Sequence, residues 1–174
     1  MTITIRRDDE ISDVDGDWFR ARWHFSFDTY RDPDYTSFGT MRVFNDDRLI
    51  PGAIWPMHPH RDIEGLTYVV EGMFRHQDDV GGAPGPLPAG SVQRMTLGSG
   101  ALHSEQNASQ TEPMRFIQIW IMPAERGLAR VWSRRSSRRR TGRTCCCAPS
   151  AATAATPSWF IRMRTCSSRT SIRQ

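Results

Sequence analysis

The sequence contains no lysine: all 23 of its basic residues are arginines, which points to a GC-rich genome rather than to any one function. It has no cysteine before Cys145, so residues 1–144 offer no disulfide, thiolate metal site or cysteine nucleophile. It lacks a long apolar run. The best stretch, residues 116–123, is interrupted by Gln118 and is far too short to cross a bilayer. The first ten residues turn acidic at Asp8-Asp9-Glu10, where a secretory signal would be apolar. No segment sustains helical periodicity over three turns, which argues against a helical bundle. These absences lead us to expect a soluble, cytoplasmic chain without a membrane partner. Its 174 residues suffice for one domain with a sizeable core.

A further absence divides the chain in two. Residues 130–174 contain no acid and 11 arginines, for a charge of +11, whereas residues 1–129 hold all 19 acids and carry −7. Read literally, residues 134–140 (Arg134-Arg135-Ser136-Ser137-Arg138-Arg139-Arg140) would form an arm for nucleic acid or an acidic partner. Yet the same tail holds Cys145-Cys146-Cys147, Cys166 and Trp159-Phe160-Ile161, which no solvated arm needs. The Cys triplet also lacks the C-x-x-C spacing of zinc or redox sites. Regrouping GC-rich codons for residues 131–168 by one base restores acidic residues, turns the Cys triplet into leucines and yields strand-like alternation. We therefore expect residues 1–129 to be the folded domain. The chain is expected to leave its proper frame near Ala129 or Arg130, so that residues 130–174 form a disordered arginine- and cysteine-rich tail. A nucleic-acid partner is expected only if that tail is genuine.

Residues 1–129 read as short strands separated by turn formers. Trp23-His24-Phe25-Ser26-Phe27 alternates, as does Met41-Arg42-Val43-Phe44 before an expected polar turn at Asn45-Asp46-Asp47-Arg48. Leu66-Thr67-Tyr68-Val69-Val70 is a strand, and Met73-Phe74-Arg75-His76 is expected to return beside it through a turn at Glu71-Gly72. Residues 81–90 form a Gly/Pro loop, with strands expected after it at 91–97 and 115–121. Many short antiparallel strands imply an all-β sandwich or jelly-roll barrel.

Three of the five histidines fall in two similar patterns, His58-Pro59-His60 and His103-Ser104-Glu105. Residues i and i+2 of a strand face the same way. Two such pairs on neighbouring strands would gather three imidazoles and one carboxylate, a donor set for a divalent transition metal: Fe(II) above all, with Mn, Co, Ni or Cu as alternatives. A lone His-x-His is weak evidence, since a single histidine is more often an ordinary hydrogen-bonded residue. The pairing, with Gly52 ahead of the first pattern and Gly98 and Gly100 ahead of the second, strengthens the signal.

The spacing Gly52, His58-Pro59-His60, Glu64, Gly72 resembles the first cupin motif, and Pro88-Ala89-Gly90 resembles the start of the second. The wider text resembles the pirin family. The segments that carry the likeness are His24-Phe25-Ser26-Phe27, Arg42-Val43-Phe44-Asn45-Asp46-Asp47, His58-Pro59-His60-Arg61-Asp62, Thr67-Tyr68-Val69-Val70-Glu71-Gly72, Gln93-Arg94-Met95, His103-Ser104-Glu105 and Gln118-Ile119-Trp120-Ile121. The regrouped tail also resembles the next stretch of that family's sequences. The resemblance implies a cupin (jelly-roll) β-barrel, the single barrel remaining from a bicupin. It also implies one metal, usually iron, at the positions of His58, His60, His103 and Glu105; Glu64 is not among the family's ligands.

Several bacterial members of this family are quercetin 2,3-dioxygenases, so the expected partners are a small aromatic, flavonol-like substrate and dioxygen, with Glu105 as catalytic base. Eukaryotic pirin is regarded as a redox-sensitive transcriptional cofactor, so the alternative is a non-catalytic, metal-dependent regulator acting through protein partners. Trp55, Met57 and Met95 are candidates for an apolar pocket wall or for plain core packing, ordinary structural roles are expected for His76 and Gln93, and Arg61 is expected either behind the metal ligands or in a surface ion pair. Gly65 replaces the aliphatic residue usual in the family and should soften its strand. A folded chain is expected to be a monomer, with doubtful activity because the second barrel is missing. A repeat read of the coding DNA across the codons for residues 125–135 is expected to find one base missing or extra; an unchanged read would mean that the tail is genuine.

Overall fold

A computed structural model describes residues 3–81 and 85–136. The cysteines and the remaining tail from residue 137 onward lie outside the described residues. A single 3-10 turn, Asp8–Glu10, precedes β1 (Ser12–Asp15), β2 (Phe19–Trp23), β3 (Met41–Leu49), β4 (Ile54–His60), β5 (Glu64–Glu71) and β6 (Met73–Asp78). The chain continues with β7 (Leu87–Pro88), β8 (Val92–Thr96), β9 (Ala101–Asn107), β10 (Met114–Ile121) and β11 (Val131–Arg135). The strands form a seven-stranded sheet in the order β1-β2-β3-β10-β5-β8-β11 and a four-stranded sheet in the order β4-β9-β6-β7. Neighbours are antiparallel. The fold is the expected all-β cupin jelly roll.

Three local expectations are corrected. Residues 45–48 are not a turn, because β3 runs on through Asn45, Asp46, Asp47 and Arg48 to Leu49. Val43, Asn45, Asp47 and Leu49 are buried in strict alternation. Outward-facing Asp46 instead receives two hydrogen bonds from Arg115 of β10, at 2.8 and 2.6 Å. Polar residues here mark a strand with a polar interior rather than its end. Nor do β5 and β6 form a hairpin: β5 pairs with β10 and β8, while β6 pairs with β9 and β7 of the other sheet. Gly72 is where the chain crosses between sheets. Its φ is +76°, and a Cβ there would stand 2.6 Å from the Pro113 carbonyl oxygen, so both conformation and space require glycine. The strand expected over residues 23–27 ends at Trp23, and Phe27 instead makes an isolated bridge with Tyr30.

Residues 131–135, on the tail side of the expected domain boundary, form β11 along the edge of β8. Edge pairing satisfies backbone groups and asks little of the side chains.

The interior is layered. One apolar cluster unites Leu49, Val69, Phe74, Leu87, Met114 and Phe116; a second unites Met95, Leu97 and Ala101. Along the inward row of each strand leading away from the first cluster, polar residues take over. Leu49 gives way to Asp47 and Asn45, Val69 to Thr67, Phe74 to His76, and Phe116 to Gln118. The resulting buried polar belt positions the candidate site.

Asn107, fully buried, ties the loop after β9 to the end of β3. Its Nδ2 donates to the carbonyls of Ile50 (3.1 Å) and Glu112 (2.8 Å), and its Oδ1 accepts from the Ser109 N–H.

Gly65 is a different case from Gly72. A Cβ at Gly65 would meet only Trp120 Cδ1, at 4.0 Å, so its conformational freedom brings no compensating close approach. Gly65→Ala is expected to stabilise the chain by about 0.5–1 kcal/mol, and Gly72→Ala to destabilise it by more than that. Urea unfolding of both variants checks the pair; equal midpoints would contradict the assignment.

Candidate metal centre

The site begins with a bulge in β4. On this strand Ile54 and Trp55 pair with Gln106 and Glu105 of β9, but His58, Pro59 and His60 pair with His103, Leu102 and Ala101. One extra residue has been inserted at Pro56–Met57, shifting the register by one. Because strand side chains alternate with period two, that residue reverses the facing of everything after it. Without it, Met57 would oppose His103 and both histidines of β4 would point outward. With it, Trp55, His58 and His60 are the inward, partly buried residues of the strand, while Pro56, Met57 and Pro59 are exposed. The two prolines are tolerated because β4 is an edge strand.

The donor nitrogens of His58, His60 and His103 lie within 4.8 Å of one another, with ring centroids 4.5–4.9 Å apart. Their hydrogen bonds indicate which nitrogens are free. His58 Nδ1 is 2.6 Å from the Pro56 carbonyl oxygen, an acceptor that requires the proton on Nδ1 and leaves a lone pair on Nε2. His103 Nδ1 is 3.0 Å from His76 Nε2. The Nε2 atoms of His60 and His103 are buried without a hydrogen-bond partner among the described residues. Burial holds His60 down to about 4, helped by the charge of His58. Burial and then the charges of His58, His60 and His76 hold His103 down to about 2. Both rings are neutral at neutral pH and carry lone pairs. Buried, unpartnered imidazole nitrogens of this kind fit a divalent transition metal.

Glu105 is placed beside this triad but is not one of its clustered donors. It is 6% exposed and lines the same cavity, where Gln118 of β10 donates a short hydrogen bond to its Oε1. Burial raises its carboxyl to about 7, and the Gln118 bond opposes that rise. Asp47 of β3, on the same cavity, is also raised well above its ordinary value of 3.8, by burial first and then by the charge of Glu105.

The cavity has a volume of about 480 Å³ and combines a polar floor (Asn45, Asp47, Glu105, Gln118) with an apolar rim (Phe27, Trp55, Pro56, Met57, Trp120). That is a size and polarity suited to a small aromatic molecule. Of the expected wall residues, Trp55 and Met57 line it, whereas Met95 belongs to the second apolar cluster. Arg61 is exposed and its Nη2 lies 3.4 Å from the Ser99 carbonyl, with no ion pair among the described residues. Glu64 stands 3.9 Å from Arg94, away from the triad. Gln93 is on the inner surface, where its Oε1 accepts from Arg134 at 2.7 Å.

Asn45, Asp47 and Gln118 belong to pirin-like segments of the sequence, but nothing there marks them as site residues. Their signal lies in the parity of β3 and β10, since Asn45 and Asp47 share the register of Val43 and Leu49. His76, for which an ordinary structural role is expected from the sequence, touches a triad member directly; its burial holds it down to about 4.

The family model described as Pirin matches residues 5–121. A quercetin 2,3-dioxygenase of Escherichia coli (strain K12) is 42% identical over 134 residues, covering 76% of this chain and 57% of that protein. A pirin-like protein of Caulobacter vibrioides is 44% identical over 124 residues, covering 71% and 53%. The crystal structure of the bacterial pirin YhhW from Escherichia coli in complex with nickel(II) superposes with a TM-score of 0.71 at 42% identity, over 75% of this chain and 56% of that one. The chain thus spans about half the length of the curated relatives it matches.

Folding without metal should report the buried groups. His60, His76 and His103 bind protons less readily folded than unfolded (ordinary value 6.5). Below about pH 6 the unfolded chain therefore takes up protons that the folded chain refuses, and stability falls. Glu105 and Asp47, whose ordinary values are 4.5 and 3.8, are raised and act in the opposite sense. Three histidines outweigh two carboxyls between about pH 6 and 4.5. The metal-free chain is thus expected to lose stability on acidification across that window; a urea midpoint that stays level or rises would contradict these protonation states.

Proposed function

The chain belongs to the pirin family, and from that membership we propose that it is the metal-binding cupin unit of a dioxygenase that cleaves flavonol-like substrates. The single observation that carries this reading is the convergence of three histidines and a buried carboxyl on one half-apolar cavity. His58, His60 and His103 would hold a divalent metal, Fe(II) by preference, with Glu105 as the further ligand. When bound, the metal supplies Lewis acidity, lowering the proton affinity of a coordinated phenolic hydroxyl and bringing the two reactants together.

The chain's own residues supply the rest. Glu105 takes the substrate's 3-hydroxyl proton at a carboxylate oxygen; a carboxyl raised to about 7 by burial is matched to proton exchange near neutral pH. Gln118 holds that carboxylate in place through its Oε1. Trp55, Phe27 and Trp120 flank a planar aromatic ring and exclude water, and Asn45 and Asp47 offer polar contacts to further ring hydroxyls. Because the curated relatives are nearly twice as long, turnover in this chain alone is expected to fall short of theirs.

The test is flavonol consumption coupled to dioxygen uptake by the full chain loaded in turn with Fe(II), Mn, Co, Ni and Cu. Turnover with at least one metal is expected. Glu105→Gln should keep a metal on the three histidines yet lower the rate by about 10²–10⁴-fold. No turnover with any of the five metals would overturn the enzymatic reading.

A further inference from the structure

His103 and the residues behind it form a continuous line on the inner face of the four-stranded sheet. In the register of β6 against β9, His76 lies opposite Glu105 and Asp78 opposite His103, so His76 and Asp78 share the inward face of β6. His76 Nε2 is 3.0 Å from His103 Nδ1, and on its far side His76 Nδ1 is 3.3 Å from Asp78 Oδ2, within ion-pair distance though not in hydrogen-bond geometry, with both side chains 1% exposed. The Asp78 carboxylate is itself held: its Oδ1 accepts from the Val80 N–H at 2.8 Å.

We propose that Asp78 and His76 are positioning residues that fix His103 in the tautomer whose Nε2 carries the lone pair offered to the metal. This rests on the reading of the triad as a metal site. A carboxylate only accepts hydrogen bonds, so a neutral His76 must carry its proton on Nδ1, facing Asp78. Its Nε2 is then an acceptor, and His103 must donate to it from Nδ1. A histidine protonated on Nδ1 has its lone pair on Nε2, the one nitrogen of His103 left without a hydrogen-bond partner. The reverse order would set two lone pairs facing each other between His76 and Asp78, and would place a proton on the nitrogen the metal needs. Carboxylates and carbonyls behind metal-bound histidines act in this way in general; here the acceptor reaches the ligand through a second imidazole.

Asp78→Asn tests the proposal with little change of shape. The side-chain oxygen still caps Val80, but an amide N–H now faces His76 Nδ1 and inverts both imidazoles. Nitrogen-15 NMR of the metal-free full chain is expected to show His103 protonated on Nδ1 in the parent and on Nε2 in Asp78→Asn. Co(II) affinity in the variant should fall by about 10–100-fold. His76→Gln, whose amide oxygen accepts from His103, should stay within a few-fold of the parent, whereas His76→Leu should not. A parent His103 protonated on Nε2, or an Asp78→Asn variant with unchanged tautomer and Co(II) affinity, would overturn the proposal. Failure of the parent to bind Co(II) would instead count against the metal reading of the triad, with the parent and variant tautomers still deciding the role of Asp78 and His76.

Discussion

The one-residue bulge at Pro56–Met57 decides which side of β4 becomes chemistry. Backbone pairing between β4 and β9 is satisfied in either register, so the hydrogen-bonded ladder alone does not specify the facing of the histidines. The bulge does, by placing His58 directly opposite His103 and returning His60 to the interior two residues later. The prolines serve the same end. Each removes a backbone donor, which an edge strand tolerates and a central strand does not. A strand that must carry an insertion thus sits where insertion disturbs least, with Glu105 on the neighbouring inner strand β9 held by Gln118 across the barrel.

The polar belt that this placement creates opposes folding. Each buried polar group without a partner costs about 1–3 kcal/mol, and the Nε2 atoms of His60 and His103 are two such groups. Two apolar clusters bracket the belt along the strands and supply the burial that offsets it. A metal bound by the folded chain would add stability of its own by mass action. Places where a sequence breaks the rule of an apolar interior are where function is expected, and here the breaks lie on one connected surface.

Much of this is legible in the sequence. Period-two alternation locates β5, β8 and β10 to within a residue or two, and the paired His-x-His and His-x-Glu patterns name the residues that the barrel brings into one cavity. What cannot be read has identifiable causes. Asn45 and Asp47 look like a turn because polar residues in a strand interior are indistinguishable from loop residues until the burial of their neighbours is known. Glu71-Gly72 looks like a hairpin because a left-handed glycine serves equally well in a turn and in a crossing between sheets; only the closeness of Pro113 tells them apart. The bulge is invisible to periodicity, since it is a break in that very signal. His76 and Asp78 carry no motif, and their importance comes from a register between β6 and β9 that is non-local in sequence. The tail remains a matter of charge and reading frame, although its first strand takes an edge position that calls mainly for a backbone.

The central claim is that three imidazoles of one barrel face hold a single metal. X-ray absorption of the full chain loaded with one equivalent of Ni(II) tests it most directly. The account predicts a first shell of nitrogen and oxygen donors with the outer-shell scattering of three imidazole rings, reduced to two in His103→Ala. A spectrum of hydrated nickel, or one unchanged by that substitution, would contradict it.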